Sequence, residues 1–519
     1  MIQSIDYVAL APVLTLVLTA GLVLVLDVLL PRERSRDDGQ GDGSAPLRGP
    51  GRRSWVLDLV ALLGVVVALG FVIGQAGWGR ERDTFCIPGD LAGPVPSGVE
   101  SSALCSFVAD HFSLIFAGVM LAAGIVVVLL SMAELSDRRV PAGEWYLLLL
   151  STLTGAVLLP ASRDLIMLVV SLELVSLPVF ALTALRRYDG RGAEAAVKLF
   201  LVSVVSTAVM LFGVSLLYGV TGTVFLSRVA GAGHPLDGVF AAAVVLVLAG
   251  FAFKIAAVPF HFWAGDVYQG APVPVAALLS VISKAAGFAG LILLLTVALP
   301  TRAHLWAPII AILAALTMTA GNLLALRQRH AVRLLAWSSV AQSGYILTPL
   351  AAGPTDTATS ASIAYLVFYA AMNIGAFAVV MMISRLGGSG DLDDYRGLAF
   401  RRPAAALALA FFLICLAGLP PGLAGLFAKI VVFREIVGGG LGWLAIVMAV
   451  NTVIGLYYYI AWTARLFVPA GARGLPPVAP ESRVRSVPVG IAVTLTLVVS
   501  AVFSAVPQGV LSLLPSALG

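Results

Sequence analysis

Fourteen apolar runs, each close to the ~20 residues an α-helix needs to cross ~30 Å of hydrocarbon, follow one another along this chain of 519 residues. They cover roughly Val8–Leu30, Trp55–Gly77, Phe112–Met132, Trp145–Pro160, Leu165–Leu185, Ala195–Val220, Phe240–Phe260, Pro272–Leu299, Leu305–Leu326, Leu334–Ala352, Ala361–Ile383, Ala404–Phe433, Leu441–Phe467 and Val487–Leu514. Hydrocarbon offers no water to unpaired backbone groups, so runs of this length fold as helices. With 60% hydrophobic and 11% charged residues, an ordinary water-soluble globule is excluded. The expected fold class is all-α: one polytopic transmembrane domain of about 14 helices.

Charge in the connections sets the expected orientation. With the N-terminus outside, twenty-two arginines fall in inward connections and six in outward ones, as the positive-inside rule requires. An even helix count then leaves both termini outside. The first run spans by itself and lacks a basic leader, so a cleaved presequence is not expected. Net charge +5 reports this topology and not nucleic-acid affinity. Pro31–Ser54 is expected to be a solvated inward loop, and Gly387-Gly388-Ser389-Gly390 lacks the strand and helix of a dinucleotide site. Cys86 and Cys105 share one outward connection, where a disulfide or two unpaired thiols both fit. Cys415, inside an apolar run, is read as packing. No Cys/His cluster has metal-ligand spacing.

Two spans are interrupted. Pro259 in the seventh removes an N–H and leaves the Ile255 carbonyl without its helical partner, and Pro420-Pro421 break the twelfth more severely. Broken backbone at membrane depth persists where protein or water satisfies it. The breaks lie five helices apart, which makes spans 4 to 8 (residues 141–300) and 9 to 13 (residues 301–470) candidate inverted repeats. Residues 1–140 would hold spans 1 to 3, and 471–519 span 14.

The chain has four lysines, Lys198, Lys254, Lys284 and Lys429, and all four lie inside apolar runs. An ammonium in hydrocarbon costs several kcal/mol unless paired or hydrated. Burial also lowers a lysine pKa, bringing proton exchange within reach of neutral pH, which arginine cannot match. Glu173, eight residues into the fifth span, offers Lys198 on the next span an opposite charge. Lys254, Lys284 and Lys429 would form a row near the bilayer middle, with waters between them. The competing readings are that Lys198 snorkels to the inner surface, that Lys429 only caps carbonyls freed by the double proline, and that Glu173 is a static counter-ion. His261, just past the first break, is either structural or a proton-entry group; His111, His234, His304 and His330 are peripheral. Asp27, Asp58 and Asp110 lie near span ends, where snorkelling is expected.

These residues carry a resemblance. Ser171-Leu172-Glu173 through Pro178, Ala193-Glu194 through Lys198-Leu199-Phe200, Leu217-Tyr218-Gly219 through Thr223, Phe253-Lys254 through Trp263, Asp266 through Pro272, Ser283-Lys284, Arg333 through Ser339, and Gly418 through Lys429 resemble the N-subunit family of bacterial proton-pumping NADH:quinone oxidoreductase, respiratory complex I. The likeness covers roughly residues 110–470. It implies an antiporter-like membrane-arm subunit in which Glu173 and Lys198 form a pair, Lys254 is the central lysine, Lys284 the connecting lysine and Lys429 the terminal residue. Lysine at that last place argues against the M subunit, and the absence of a long C-terminal lateral helix against the L subunit. FMN, iron–sulfur clusters and quinone are implied in partner subunits, with no cofactor in this chain. The M subunit and small subunits K and J are implied partners, in a bacterial plasma membrane. Two departures stand out: Gln342 where the family often has histidine, so that the link between lysines depends on water or amide, and Gly265 where proline is usual, so that a looser loop is expected.

The function expected is a translocase role: proton pumping coupled to quinone reduction elsewhere in the complex. The alternatives are a subunit of a multi-subunit cation/proton antiporter and a non-conducting structural spacer.

Overall fold

The computed structural model describes residues 5–30, 52–87, 104–136, 140–186, 189–231, 237–386, 389–469 and 487–512. Most of the expected loop Pro31–Ser54, residues Gly387 and Gly388, and His234 lie outside the described residues. Spans 1 to 6 are Ala11–Leu29, Arg52–Trp78, His111–Leu135, Ala142–Leu158, Leu165–Ala184 and Gly190–Thr221. Span 7 is Asp237–Lys254 followed, after a break, by Trp263–Gly270. Span 8 runs Val273–Ala298, and span 9 Ala303–Leu326. Span 10 is Ala331–Leu347, span 11 Asp356–Ser384, span 13 Gly442–Phe467 and span 14 Val487–Ala505, while span 12 is the pair Pro403–Ala417 and Leu423–Gly438. Twelve of these helices are long and apolar enough to cross a membrane; span 10 and the discontinuous span 12 complete the fourteen expected crossings.

Burial sorts the spans into a centre and a rim. The apolar stretch of span 8 is wholly buried and that of span 11 is 89% buried, against 22% for span 6. Span 10 is the most polar of the central helices, yet Ser338, Ser339, Gln342 and Ser343 are all buried. A polar helix enclosed by apolar ones must find its partners inside the protein.

Both expected breaks are present, and their backbone groups are satisfied. Lys254 is the last residue of the first half of span 7. Ala256 then adopts φ +56°, the left-handed region that non-glycine residues rarely occupy. The Ile255 carbonyl, deprived of its helical donor, accepts from Ser343 Oγ at 2.7 Å. The Val258 N–H donates to Thr317 Oγ1 at 3.0 Å. In span 12 the first half ends at Gly418, φ +82°, and the second half folds back tightly against it. A Cβ on Gly425 would lie 1.7 Å from the Cys415 carbonyl oxygen, and one on Gly422 2.5 Å from the Cys415 nitrogen. Cys415 itself is a buried free thiol, as expected of a packing residue.

The connection between spans 2 and 3 carries an element that hydropathy does not signal. Strands Arg82–Cys86 and Cys105–Ala109 pair antiparallel, with Cys86 opposite Cys105, and these two cysteines form a disulfide. Arg82 pairs with Asp6 at 2.9 Å. Burial alone would raise the Asp6 carboxyl, but the Ala9 and Val8 N–H groups and the Arg82 guanidinium outweigh it and hold the pKa below its usual value. Two aspartates expected to snorkel do not. Asp110 caps span 3 by accepting from the Ser113 N–H and pairs with Arg163. Asp58 is buried and accepts from Tyr146 Oη at 2.6 Å. In both cases a short carboxylate finds a donor on a neighbouring segment closer than the surface.

Gly425→Ala is expected to destabilise the protein by ~3 kcal/mol or more, because overpacking against backbone has no side chain to yield. Gly238→Ala, at a site with nothing within 4 Å, is the neutral control. Thermal unfolding of the solubilised protein compares the two.

Candidate functional site: a row of buried amines

Three of the four lysines are enclosed: Lys254 is 8% exposed, Lys284 2% and Lys429 9%. Lys254 closes the first half of span 7, and its Nζ donates to Ser176 Oγ on span 5 and, at 3.5 Å, to Ser203 Oγ on span 6. Glu173 Oε1 lies 3.9 Å away and accepts from Thr207 Oγ1 at 2.7 Å. Beside this group is a cavity of about 20 Å³ lined by Ser176, Ser203, Lys254, Trp263 and Ser283, room for about one water.

The expected Glu173/Lys198 pair is therefore corrected: the partner of Glu173 is Lys254. Lys198 is 44% exposed and pairs with Glu194 one turn earlier at 2.7 Å and with Asp266 at 3.1 Å. Span 6 lies on the rim of the bundle, so a lysine about two turns from its end reaches the polar boundary on its flexible stem. Asp266 is shared with Arg333, at 3.0 Å.

Lys284 follows a π-helical turn, Leu279–Ser283, in span 8. Such turns free a carbonyl from the helical ladder, and the Ser280 carbonyl accepts from Tyr369 Oη at 3.1 Å. Lys284 Nζ donates to the Ser339 carbonyl and, at 2.6 Å, to Ser339 Oγ. Ser343 Oγ, which satisfies Ile255, also lies 3.2 Å from that Ser339 carbonyl. One hydroxyl thus joins the break beside Lys254 to the oxygen that holds Lys284. Gly287 makes the approach possible, since a Cβ there would lie 3.0 Å from Ile255 Cγ2 and 3.2 Å from Lys254 Cβ.

Lys429 Nζ donates to the Ala417 carbonyl at 2.6 Å and the Leu416 carbonyl at 3.3 Å. These are the last carbonyls of the first half of span 12, so Lys429 does cap the broken helix. A Cβ on Gly418 would lie 3.3 Å from Lys429 Nζ. The amine also sits 5.7 Å from the centre of the Tyr345 ring and borders a cavity of about 410 Å³ that Arg434 and Thr452 help to line.

Between Lys284 and Lys429 lies a polar cluster on spans 10, 11 and 13. Gln342 Oε1 accepts from Tyr365 Oη at 2.7 Å, and its Nε2 donates to Tyr459 Oη at 3.2 Å. Tyr459 Oη meets Ser338 Oγ at 2.5 Å. His261, at the first break, packs its ring against Trp337 at 5.8 Å, with its buried Nδ1 lacking a partner among the described residues. Gly265 does not loosen a loop. It lies in the helix Trp263–Gly270, where a Cβ would meet Trp337 Cζ2 at 2.8 Å. The hydroxyls of Ser176, Ser203, Thr207, Ser343 and Tyr459 were missed by sequence reasoning. Ser176 alone had a signal, standing one helical turn from Glu173.

The family described as NADH:quinone oxidoreductase/Mrp antiporter, TM, matches residues 162–455, a stretch holding every one of these lysines. The chain belongs to this family. It is 48% identical to NADH-quinone oxidoreductase subunit N 2 of Streptomyces griseus subsp. griseus, over 98% of this chain and 93% of that relative. It is 43% identical to NADH-quinone oxidoreductase subunit N of Salinispora tropica, over 90% and 86%. A chain of respiratory complex I from Thermus thermophilus superimposes with TM-score 0.73 at 29% identity, over 97% of this chain and 99% of that one. The Mrp complex of Dietzia shares the fold, with TM-score 0.80 at 20% identity and coverage of 99% and 97%. The protein is a proton-translocating, antiporter-like membrane-arm subunit of the subunit N type and a member of an oxidoreductase complex.

Ser343→Ala leaves the Ile255 carbonyl unpaired in a dry interior and is expected to cost ~1–3 kcal/mol. Lys198→Met removes the exposed ion pairs to Glu194 and Asp266 and is expected to leave stability nearly unchanged. Thermal unfolding of the purified complex separates the two.

Proposed function

We propose that protons cross this subunit along Lys254, Lys284 and Lys429, driven by charge changes that reach Glu173 from the redox part of the complex. The observation that carries this reading is the enclosure of three amines, each held by neutral hydroxyl or carbonyl oxygens, with one carboxylate 3.9 Å from the first. Neutral oxygens stabilise both an ammonium and an amine, so each site accepts either state. Glu173 favours the charged form of Lys254, and drawing its charge away releases a proton toward Lys284. At an effective dielectric of ~20, a unit pair near 4 Å attracts by ~4 kcal/mol. Moving one charge against ~100 mV requires ~2.3 kcal/mol, so opening or closing one such pair is large enough to drive the step.

In this reading the inner surface is the arginine-rich one, both termini lie outside, and proton exit follows Lys429. Spans 4 to 8 and 9 to 13 act as inverted halves, one carrying Lys254 and the other Lys429. The chain itself has no redox centre; FMN, iron–sulfur clusters and quinone belong to partner subunits. Its membrane neighbours are subunits of the M, K and J types.

Lys254→Ala in the assembled complex is expected to lower protons pumped per NADH oxidised while NADH oxidation and subunit content persist. Dye-monitored acidification of inside-out vesicles checks it. Undiminished pumping in an intact complex would favour a structural spacer.

A further inference from the structure

Among the described residues, the hydrogen-bonded side chains between Lys284 and Lys429 include no imidazole. The hydrogen bonds there have a definite order. Tyr365 donates to the amide oxygen of Gln342, and the amide nitrogen donates to Tyr459. Tyr459 Oη, which accepts from the amide, also lies 2.5 Å from Ser338 Oγ, and either hydroxyl of that pair can donate, so Tyr459 accepts from Ser338 while its own proton points onward. Ser338 adjoins Ser339, whose hydroxyl holds Lys284. On the other side, the Tyr365 ring stacks on Tyr345, with centroids 5.9 Å apart and planes 14° from parallel, and Lys429 Nζ lies over the Tyr345 ring. Tyr345 Oη in turn accepts from Asn322 Nδ2 at 3.3 Å. All of these side chains are buried.

A primary amide presents one acceptor and one donor group. Whichever way it is turned, one flanking phenol must donate to it and the other must accept. Gln342 therefore imposes opposite polarity on Tyr365 and Tyr459. A phenol both gives and takes hydrogen bonds, so it relays a proton by accepting one on its oxygen while releasing its own, with no net charge left behind. The amide does not exchange protons this way at neutral pH, and its part is to hold the two phenols.

We propose that Tyr459 is the proton-relay residue between Lys284 and Lys429, taking a proton from Ser338 on its oxygen while releasing its own to a bridging water, and that Gln342, anchored by Tyr365, is the positioning residue that keeps the Tyr459 proton off the amide. Bridging waters complete the steps from Ser339 to Ser338 and from Tyr459 to Lys429. This inference rests on the proton path proposed above. It replaces the imidazole that a histidine would bring with one hydroxyl aligned by an amide.

The test uses the assembled complex in inside-out vesicles, reading protons pumped per NADH oxidised, NADH oxidation rate and subunit content. Lys284→Met provides the benchmark for loss of this subunit's output. Tyr459→Phe, which keeps the ring and removes the hydroxyl, is expected to lower the pumping ratio to that benchmark, with NADH oxidation and assembly retained. Gln342→Leu is expected to do the same. Gln342→His is expected to restore output and to add a titration step between about pH 5 and 8, which a purely structural role for residue 342 would not create. Tyr459→Phe pumping at the wild-type ratio, or Gln342→His giving a pH profile identical to that of the native protein, would overturn the proposal. If Lys284→Met itself leaves the ratio unchanged, the underlying proton path fails, and that failure is distinguishable from failure of the relay alone.

Discussion

The structure depends on how an ammonium group is accommodated in hydrocarbon. A fixed counter-charge beside every lysine would hold each proton in place, and no partner at all would make burial prohibitive. The three enclosed lysines take a middle course, bonding to serine hydroxyls or backbone carbonyls. Of the three, Lys254 alone has a carboxylate within reach among the described residues, and at 3.9 Å that contact is an attraction without a hydrogen bond. Such surroundings suit the proton exchange proposed above for these amines.

The broken helices are the source of much of this solvation. Ending span 12 at Ala417 exposes the carbonyls that Lys429 takes. Ending span 7 at Lys254 frees the Ile255 carbonyl, whose acceptance from Ser343 ties the break to the oxygen beside Lys284. Glycines make these approaches possible, Gly287 against span 7 and Gly418 against Lys429. The polar chemistry and the close packing are therefore one arrangement: carbonyls reach an amine only where helices stop, and helices stop stably only where their ends are met.

Much of the fold was legible from sequence because hydrocarbon thickness and the cost of unpaired backbone leave few options for runs of this length. Lys429 lies near the end of its run and its depth gave no signal, whereas the enclosure of Lys254 and Lys284 was legible from their depth, twelve or more residues into their runs. The partner of Glu173 was not. Choosing between Lys198 and Lys254 requires knowing which spans face the centre, and span 6 is apolar enough to cross while lying on the rim. The strand pair closed by Cys86 and Cys105 escaped notice because five-residue strands leave no hydropathy signal in a loop. The rigid seat of Gly265 was hidden as well, because Trp337, which fills the space above it, comes from a distant span.

A cryo-electron microscopy map of the assembled complex that resolves ordered water tests the central claim most directly. The account predicts water density beside Lys254 in the cavity lined by Ser176, Ser203 and Ser283, and further waters joining the Ser339 and Gln342 cluster to Lys429. A map with these three amines enclosed but separated by dry, close-packed side chains would contradict it.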